Sequence, residues 1–310
     1  MKRLSVLLLS LSPFCSVAAP IRLGIIGADT SHAPALARLL ANHPDARVVA
    51  AFKGGSPDVE ASRTRVDRFA EELKSQYGVR LVGSIDELLQ EVDGVLLLSV
   101  DGRRHLEQAR KAFAAKKPVF IDKPLASRWP DVEEIARAAG GIPWFTSSAL
   151  RYGALAAMKS PGAAGYVVWA PAPFEEHHEM DLSWYGIHGV ELLFTLMGTG
   201  CEEVTRVASK DADVVVGRWR DGRLGTVQLR RPESDYGVLV FEGKGFRASD
   251  PKARAVDYAP LLEAIVGFFK TGRPPVPNEE SLEIFAFIEA AQRSKAAGGT
   301  PVRLPVAKLR

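Results

Sequence analysis

Ile21-Arg-Leu-Gly-Ile-Ile-Gly-Ala-Asp-Thr-Ser-His32 is a short apolar run that breaks at Gly27 into turn-prone residues. Helix-compatible sequence follows from Ala33 to Ala41, and then a second apolar run, Arg47-Val-Val-Ala-Ala-Phe52. An apolar strand, a glycine turn, a helix and another apolar strand make a βαβ unit, because runs buried on both faces belong to parallel sheets. The pattern repeats downstream. A charged helical stretch, 59–77, leads to a short strand at 79–82, and a small helix starts at Ser84 and Asp86. Asp93-Gly-Val-Leu-Leu-Leu-Ser99 reads as a buried strand, residues 103–115 as its crossover helix, Lys117-Pro-Val-Phe-Ile121 as the next strand, and 131–139 as a further helix stopped by Gly140-Gly141. Strands alternating with helices predict a doubly wound parallel sheet, the Rossmann arrangement, over residues 20–148.

The rhythm changes after residue 150. Strands are expected at 166–169, 204–209, 214–219, 225–230 and 237–242, with Asp221-Gly222 as a hairpin turn. This is a second α+β domain, 149–310, with an open, mostly antiparallel sheet. Two helices close the chain. The first places Leu261, Leu262, Ile265, Val266 and Phe269 on one face. The second has Asn278 as N-cap, Glu279 and Glu280 in its first turn, and Gly298-Gly299 at its end. Both are expected to return to the first domain.

The outer features set limits. With 310 residues and a formal charge of +3, the chain carries no dense basic stripe interleaved with aromatics, which argues against a nucleic-acid partner. Residues 1–19 read as a signal peptide: Lys2 and Arg3 precede an apolar stretch, and Ser16, Val17, Ala18 and Ala19 end it before Pro20. The expectation is therefore an exported protein, periplasmic or extracellular, without a membrane anchor. Cys15 would leave with this leader, so Cys201 would have no cysteine to pair with.

Several segments together resemble the Gfo/Idh/MocA oxidoreductase family, named for glucose–fructose oxidoreductase, inositol dehydrogenase and a rhizopine catabolism protein. They are Gly24-Ile-Ile-Gly27, the span from Asp93 through His105-Leu-Glu-Gln-Ala109 to Lys117-Pro-Val-Phe-Ile-Asp-Lys-Pro-Leu-Ala126, and the tail with Thr271-Gly-Arg-Pro-Pro275 and Glu289-Ala-Ala-Gln-Arg-Ser294. Gly186-Ile-His-Gly-Val-Glu-Leu-Leu193 is a weaker match to the family's Gly-x-His-x-x-Asp-Leu helix. The resemblance implies an NAD(P)-dependent oxidoreductase of a sugar, polyol or glycoside, assembled as a homo-oligomer.

The residues qualify that picture. A dinucleotide turn wants Gly-x-Gly-x-x-Gly, so that backbone approaches the pyrophosphate. Here Gly27 is followed by Asp29 and His32 at the second and third glycine positions, and a carboxylate facing pyrophosphate is repulsive. Thr30, Ser31 and the helix N-terminus can still donate to phosphate. The alternative is a helix cap formed by Asp29 or Ser31 with no nucleotide. Where the second strand ends, Phe52 is followed by Lys53-Gly54-Gly55-Ser56 instead of an acid for ribose hydroxyls, and Lys53 with Ser56 suits a 2′-phosphate, which favours NADP over NAD.

Asp122-Lys123-Pro124 ends a parallel strand, where such sheets bind ligands. The resemblance gives Lys123 and His188 the roles of catalytic pair and puts Ser99, Asp101 and His105 near the cofactor. The family's usual acid four residues before the histidine is replaced by Trp184. Arg151, Tyr152, His178, Asp181, Trp184 and Tyr185 are the remaining substrate-side candidates, with Asp181 able to substitute for the missing acid only if the loop geometry differs. No tight ligand spacing assigns a metal. Two alternatives stay open: an exported carbohydrate-binding protein that has lost redox activity, and a metal-assisted lyase or hydrolase using His177, His178 and His188.

Overall fold

The computed structural model describes residues 19–252 and 256–308. The expected leader, 1–19, lies outside them except for Ala19, and so does Cys15.

The first domain alternates β1 (Ile21–Ile26), α1 (His32–Leu40), β2 (Ala46–Phe52), α2 (Glu60–Arg63), α3 (Val66–Tyr77), β3 (Arg80–Val82), α4 (Ile85–Glu91), β4 (Gly94–Leu97), α5 (His105–Ala114), β5 (Val119–Ile121), α6 (Trp129–Ala138) and β6 (Trp144–Thr146). The strands run parallel in the order β3-β2-β1-β4-β5-β6. That order reverses direction between β1 and β4, and the crevice outside their carboxyl ends is where open sheets of this kind take ligands. Gly27 turns the chain out of β1 with φ +94°, and a Cβ there would sit 2.4 Å from the backbone nitrogen of Ser99 at the end of β4. Only glycine allows that turn and that approach together.

The second domain comprises β7 (Ala163–Pro171), α7 (Gly186–Met197), β8 (Cys201–Ala208), β9 (Ala212–Trp219), β10 (Leu224–Arg230), β11 (Gly237–Glu242), β12 (Gly245–Ala248), α8 (Tyr258–Thr271), α9 (Asn278–Ala296) and β13 (Val302–Arg303). Its seven-stranded sheet has the order β12-β11-β7-β10-β9-β8-β13. The β7–β10 pair is parallel and the others are antiparallel. β9 alternates buried and outward residues, which is the signature of a sheet covered on one face. α7 and α9 cover that face. α7 is apolar almost all round, and Gly189 lets it lie against the sheet, since a Cβ there would meet Val227 at 2.9 Å. This close seating fixes the start of α7, and His188 with it.

α8 does return to the first domain: Leu261, Leu262, Ile265, Val266 and Phe268 join Leu23, Ile25, Leu36 and Phe145 in one core. The buried ring is Phe268 rather than the expected Phe269, which is partly buried and instead packs over Gly94. Asn278 is the first helical residue of α9 and Pro277 holds the cap position. The asparagine amide, oriented to satisfy both groups, pairs with the backbone oxygen and ring nitrogen of Trp144.

Candidate active site

The carboxyl ends of β1, β5 and β6 deliver His32, Lys123 and Ser148 to one place, and the second domain closes it with Tyr185, His188, Tyr236 and Tyr258. These residues line a cavity of about 120 Å³ between the domains.

Lys123 is buried except for its approach to the cavity, and its Nζ sits 5.1 Å from the centre of the Tyr185 ring. Such cation–π contact holds an ammonium in place without neutralising it. No carboxylate among the described residues lies within ion-pair distance of it. His188 Nδ1 is 2.8 Å from Ser148 Oγ, and its ring stands edge-on to Tyr185 and Tyr236. The tautomer that donates Nδ1–H to Ser148 leaves the Nε2 lone pair for a substrate proton. Burial first, then the positive charges of Lys123 and His32, push His188 well below its ordinary pKa. It is therefore a neutral base at neutral pH.

Asp122 does not reach a cofactor loop. Its Oδ1 accepts from the Lys123 backbone N–H at 2.8 Å, and its Oδ2 lies 2.5 Å from His32 Nδ1. Burial alone would raise this carboxyl, but the His32 charge and hydrogen bond, followed by Lys123, outweigh it and hold Asp122 below its ordinary value. His32 also leans on Tyr258, 5.0 Å ring to ring. Burial, then the charges of Asp122 and Tyr185, push the Tyr258 hydroxyl up to about 12, so it stays a protonated donor. His32, read from sequence as a phosphate-loop residue, thus belongs to the cavity.

The crevice at the switch point is a separate network. Asp29 is fully buried and turned inward: Ser62 Oγ donates to Oδ2 at 2.6 Å and the Val100 N–H to Oδ1 at 3.0 Å. The sequence expectation of a carboxylate facing pyrophosphate is corrected accordingly. Burial raises the Asp29 pKa, against the pull of those two hydrogen bonds. Asp101 is equally buried. It accepts from Ser56 Oγ at 2.7 Å and Arg103 Nε at 3.0 Å, and His178 Nε2 lies 3.5 Å away. Burial would raise Asp101 too, but the polar groups of His178, Arg103 and Ser56 hold it well below its ordinary value. Val59, Val100 and Trp184 pack together beside this network.

These contacts decide whether the crevice suits the dinucleotide that the fold implies. The Ser56–Asp101 and Ser62–Asp29 hydrogen bonds tie the loop after β2 to the ends of β4 and β1, across the place a dinucleotide would lie. With these side chains so placed, a dinucleotide does not fit. Of the expected NADP contacts, Lys53 lies at the surface paired with Asp67 on α3, and Ser56 is taken up by Asp101. Thr30 is buried, and Ser31 at the start of α1 reaches the cavity rather than the crevice.

The other expected residues are placed as follows. Ser99 bonds Gln108. His105 is fully buried and clamps the Ser99 and Leu125 carbonyl oxygens, which makes it a support for both loops. Arg151 is taken up by Glu191 and Glu280, and Tyr152 packs into the core beneath α8. Asp181 pairs with Arg206 at 2.6 Å and Lys295 at 2.7 Å, so it does not replace the missing acid. Trp184 packs on Val59 and Val100, so of the two adjacent aromatics Tyr185 is the one that lines the cavity. His177 pairs with Glu175, His178 with Ser183, and His188 with Ser148, so the three histidines diverge. Among the described residues no group of three or more metal-ligating side chains converges.

Sequence reasoning missed Ser148, Tyr236 and Tyr258. Ser148 had a usable signal, the carboxyl end of a parallel strand. The two tyrosines arrive from a loop and a helix start, and nothing local marks them.

Comparison with known proteins agrees with the fold. Residues 21–141 match the oxidoreductase family with an NAD-binding Rossmann fold, GFO_IDH_MocA. An inositol 2-dehydrogenase of Cereibacter sphaeroides is 32% identical over 125 residues, covering 39% of this chain and 34% of that protein. The match thus spans about a third of the length of this curated relative. Among solved structures, GenD2 from gentamicin A biosynthesis in complex with NAD superposes with a TM-score of 0.73 at 17% identity, covering 96% of this chain and all of that one. A myo-inositol 2-dehydrogenase from Lactobacillus plantarum gives 0.73 at 16% identity, covering 92% and 100%. At these identities the structures speak for the fold alone.

Proposed function

We propose that this chain, whose residues 21–141 match the Gfo/Idh/MocA oxidoreductase family, is a member of it and an NAD(P)-dependent oxidoreductase acting at a CH–OH or carbonyl carbon of a sugar or polyol. The observation that carries the reading is that Lys123 and His188 share one cavity, an ammonium and a neutral imidazole brought from different domains. Lys123 donates to the substrate oxygen and favours its ionised form. His188 takes or returns the proton, with Ser148 fixing its ring. Tyr185, Tyr236 and Tyr258 supply the mixed aromatic and hydroxyl surface that sugars and polyols contact. The partial match to an inositol 2-dehydrogenase supports a polyol. Export directed by residues 1–19 is part of the proposal.

A second reading has its own observation, the bridged crevice. Under it, the cavity binds a carbohydrate without redox turnover. One assay separates the two. The full chain is offered a panel of polyols and sugars with NAD⁺ or NADP⁺, and reduced nicotinamide is followed. The proposal expects at least one compound to be oxidised, and Lys123→Ala to lose about 10²–10⁴-fold in rate. A compound that binds while no nicotinamide is reduced favours the second reading.

A further inference from the structure

We propose that residues 54–65 form a latch across the dinucleotide crevice, which must swing out together with the facing 177–184 loop before a dinucleotide enters. The inference rests on the reading just given. It resolves the misfit between an NAD-binding fold and a crevice that the chain fills with its own side chains.

Three observations carry it. The first is what fills the crevice. Two fully buried carboxylates, Asp29 and Asp101, stand at the ends of β1 and β4, and their partners Ser62 and Ser56 come from the 54–65 segment. A permanent filling would be more stable if made of apolar side chains, because buried carboxylates need every hydrogen bond satisfied. A surface that parts and returns to water is better made of polar groups, which water can satisfy again.

The second is that the segment is held mostly by polar contacts, Asp58 to Arg103 and Ser56 to Arg104 adding to the two buried bonds. Val59 is its one buried apolar side chain, while Pro57, Asp58, Glu60, Arg63 and Thr64 are exposed. Its only regular element is α2, a single turn. Gly54 and Gly55, with φ of +64° and +111°, lie at its start and give the backbone a pivot free of side chains.

The third is the opposing side. His178 faces Asp101, and Trp184 packs on Val59 and Val100, so a second-domain loop rests on the segment and on the end of β4. Opening the domains and lifting the segment are therefore coupled. With the segment out, the faces of Asp29 and Asp101 that Ser62 and Ser56 cover are open, while the Ala28 N–H stays on the Lys53 carbonyl and the Val100 N–H on Asp29.

The apparent affinity for dinucleotide then scales with the open fraction. Ser62→Ala removes the bond to Asp29 and the one that Ser62 Oγ accepts from the Ser56 N–H. Titration of the full chain with NADH, read by nicotinamide fluorescence, should show Ser62→Ala binding about tenfold tighter than the wild type, which corresponds to about 1.4 kcal/mol. As a check independent of any variant, amide hydrogen exchange of residues 54–65 in the wild type should rise when NADH is added. Equal affinities, or exchange in 54–65 that stays level or falls on binding, overturn the latch. Failure of both proteins to bind NADH overturns it too and leaves the crevice a permanent filling. The two proposals fail differently. NADH binding with the latch signature but no polyol turnover removes the activity and keeps the latch. Turnover with identical NADH affinities does the reverse.

Discussion

His32 and Asp122, 90 positions apart in the chain, meet at 2.5 Å beside Lys123. The imidazole occupies the position where a dinucleotide turn would have its third glycine, and it hydrogen-bonds the carboxylate that precedes the lysine. Without His32, Asp122 would be a buried carboxylate answered only by Lys123 and its backbone.

The stability consequence has a definite sign. Burial would raise Asp122, yet His32 and Lys123 hold it below its ordinary value. A depressed carboxyl stabilises the fold above its unfolded pKa, about 3.9, and that contribution fades as pH falls through the folded value. Asp122→Asn should lower unfolding free energy at neutral pH by about 3 kcal/mol. In urea titrations at several pH values, the gap to the wild type should narrow below about pH 4. A gap that is constant with pH would remove the ion pair from the account.

His188 titrates in the opposite sense from a paired histidine. Burial first, then Lys123 and His32, depress it, so the fold is fully stabilised above about pH 6.5 and loses that share as pH falls from there towards the folded pKa. Lys123→Met removes one of the neighbouring positive charges and should move the His188 ring titration, followed by NMR, upward towards its ordinary value. An unmoved titration would mean that the two side chains do not sense each other.

Arg206 is fully buried between Asp213 and Asp181. Arg206→Met leaves Asp213 and Asp181 without this partner. It should cost about 3–5 kcal/mol in urea unfolding, with no change in the residues lining the cavity. A loss below about 1 kcal/mol would show that Arg231 and Lys295 suffice for the two acids.

Gly27→Ala should act on the fold before it acts on any ligand. The residue needs φ +94°, and the added methyl meets Ser99. A loss of at least about 1 kcal/mol is expected in thermal or urea unfolding. A variant as stable as the wild type would mean that the turn relaxes.

Architecture was legible because it is written in local pattern. The runs at Ile21–Ile26, Ala46–Phe52 and Gly94–Leu97 are apolar apart from Arg22 and Arg47 near the strand starts, as strands covered on both faces are, and Asp221-Gly222 marks its hairpin. Lys123 and His188 were legible through strand-end position and resemblance. The crevice was not. Asp29 reads alike whether it faces phosphate or turns inward, and it is Ser62 and Val100, 33 and 71 positions away, that settle which. Asp181 is within four residues of Tyr185, yet Arg206 on β8 draws it off. A partner supplied by distant chain leaves no trace in local spacing.

The central claim is that one substrate hydroxyl sits between Lys123 and His188. The most direct measurement is a crystal structure of the full chain with whichever polyol or sugar the panel shows to bind. The account predicts a ligand oxygen within hydrogen-bond distance, about 3 Å, of both Lys123 Nζ and His188 Nε2. A ligand held elsewhere, with both groups untouched, would contradict it.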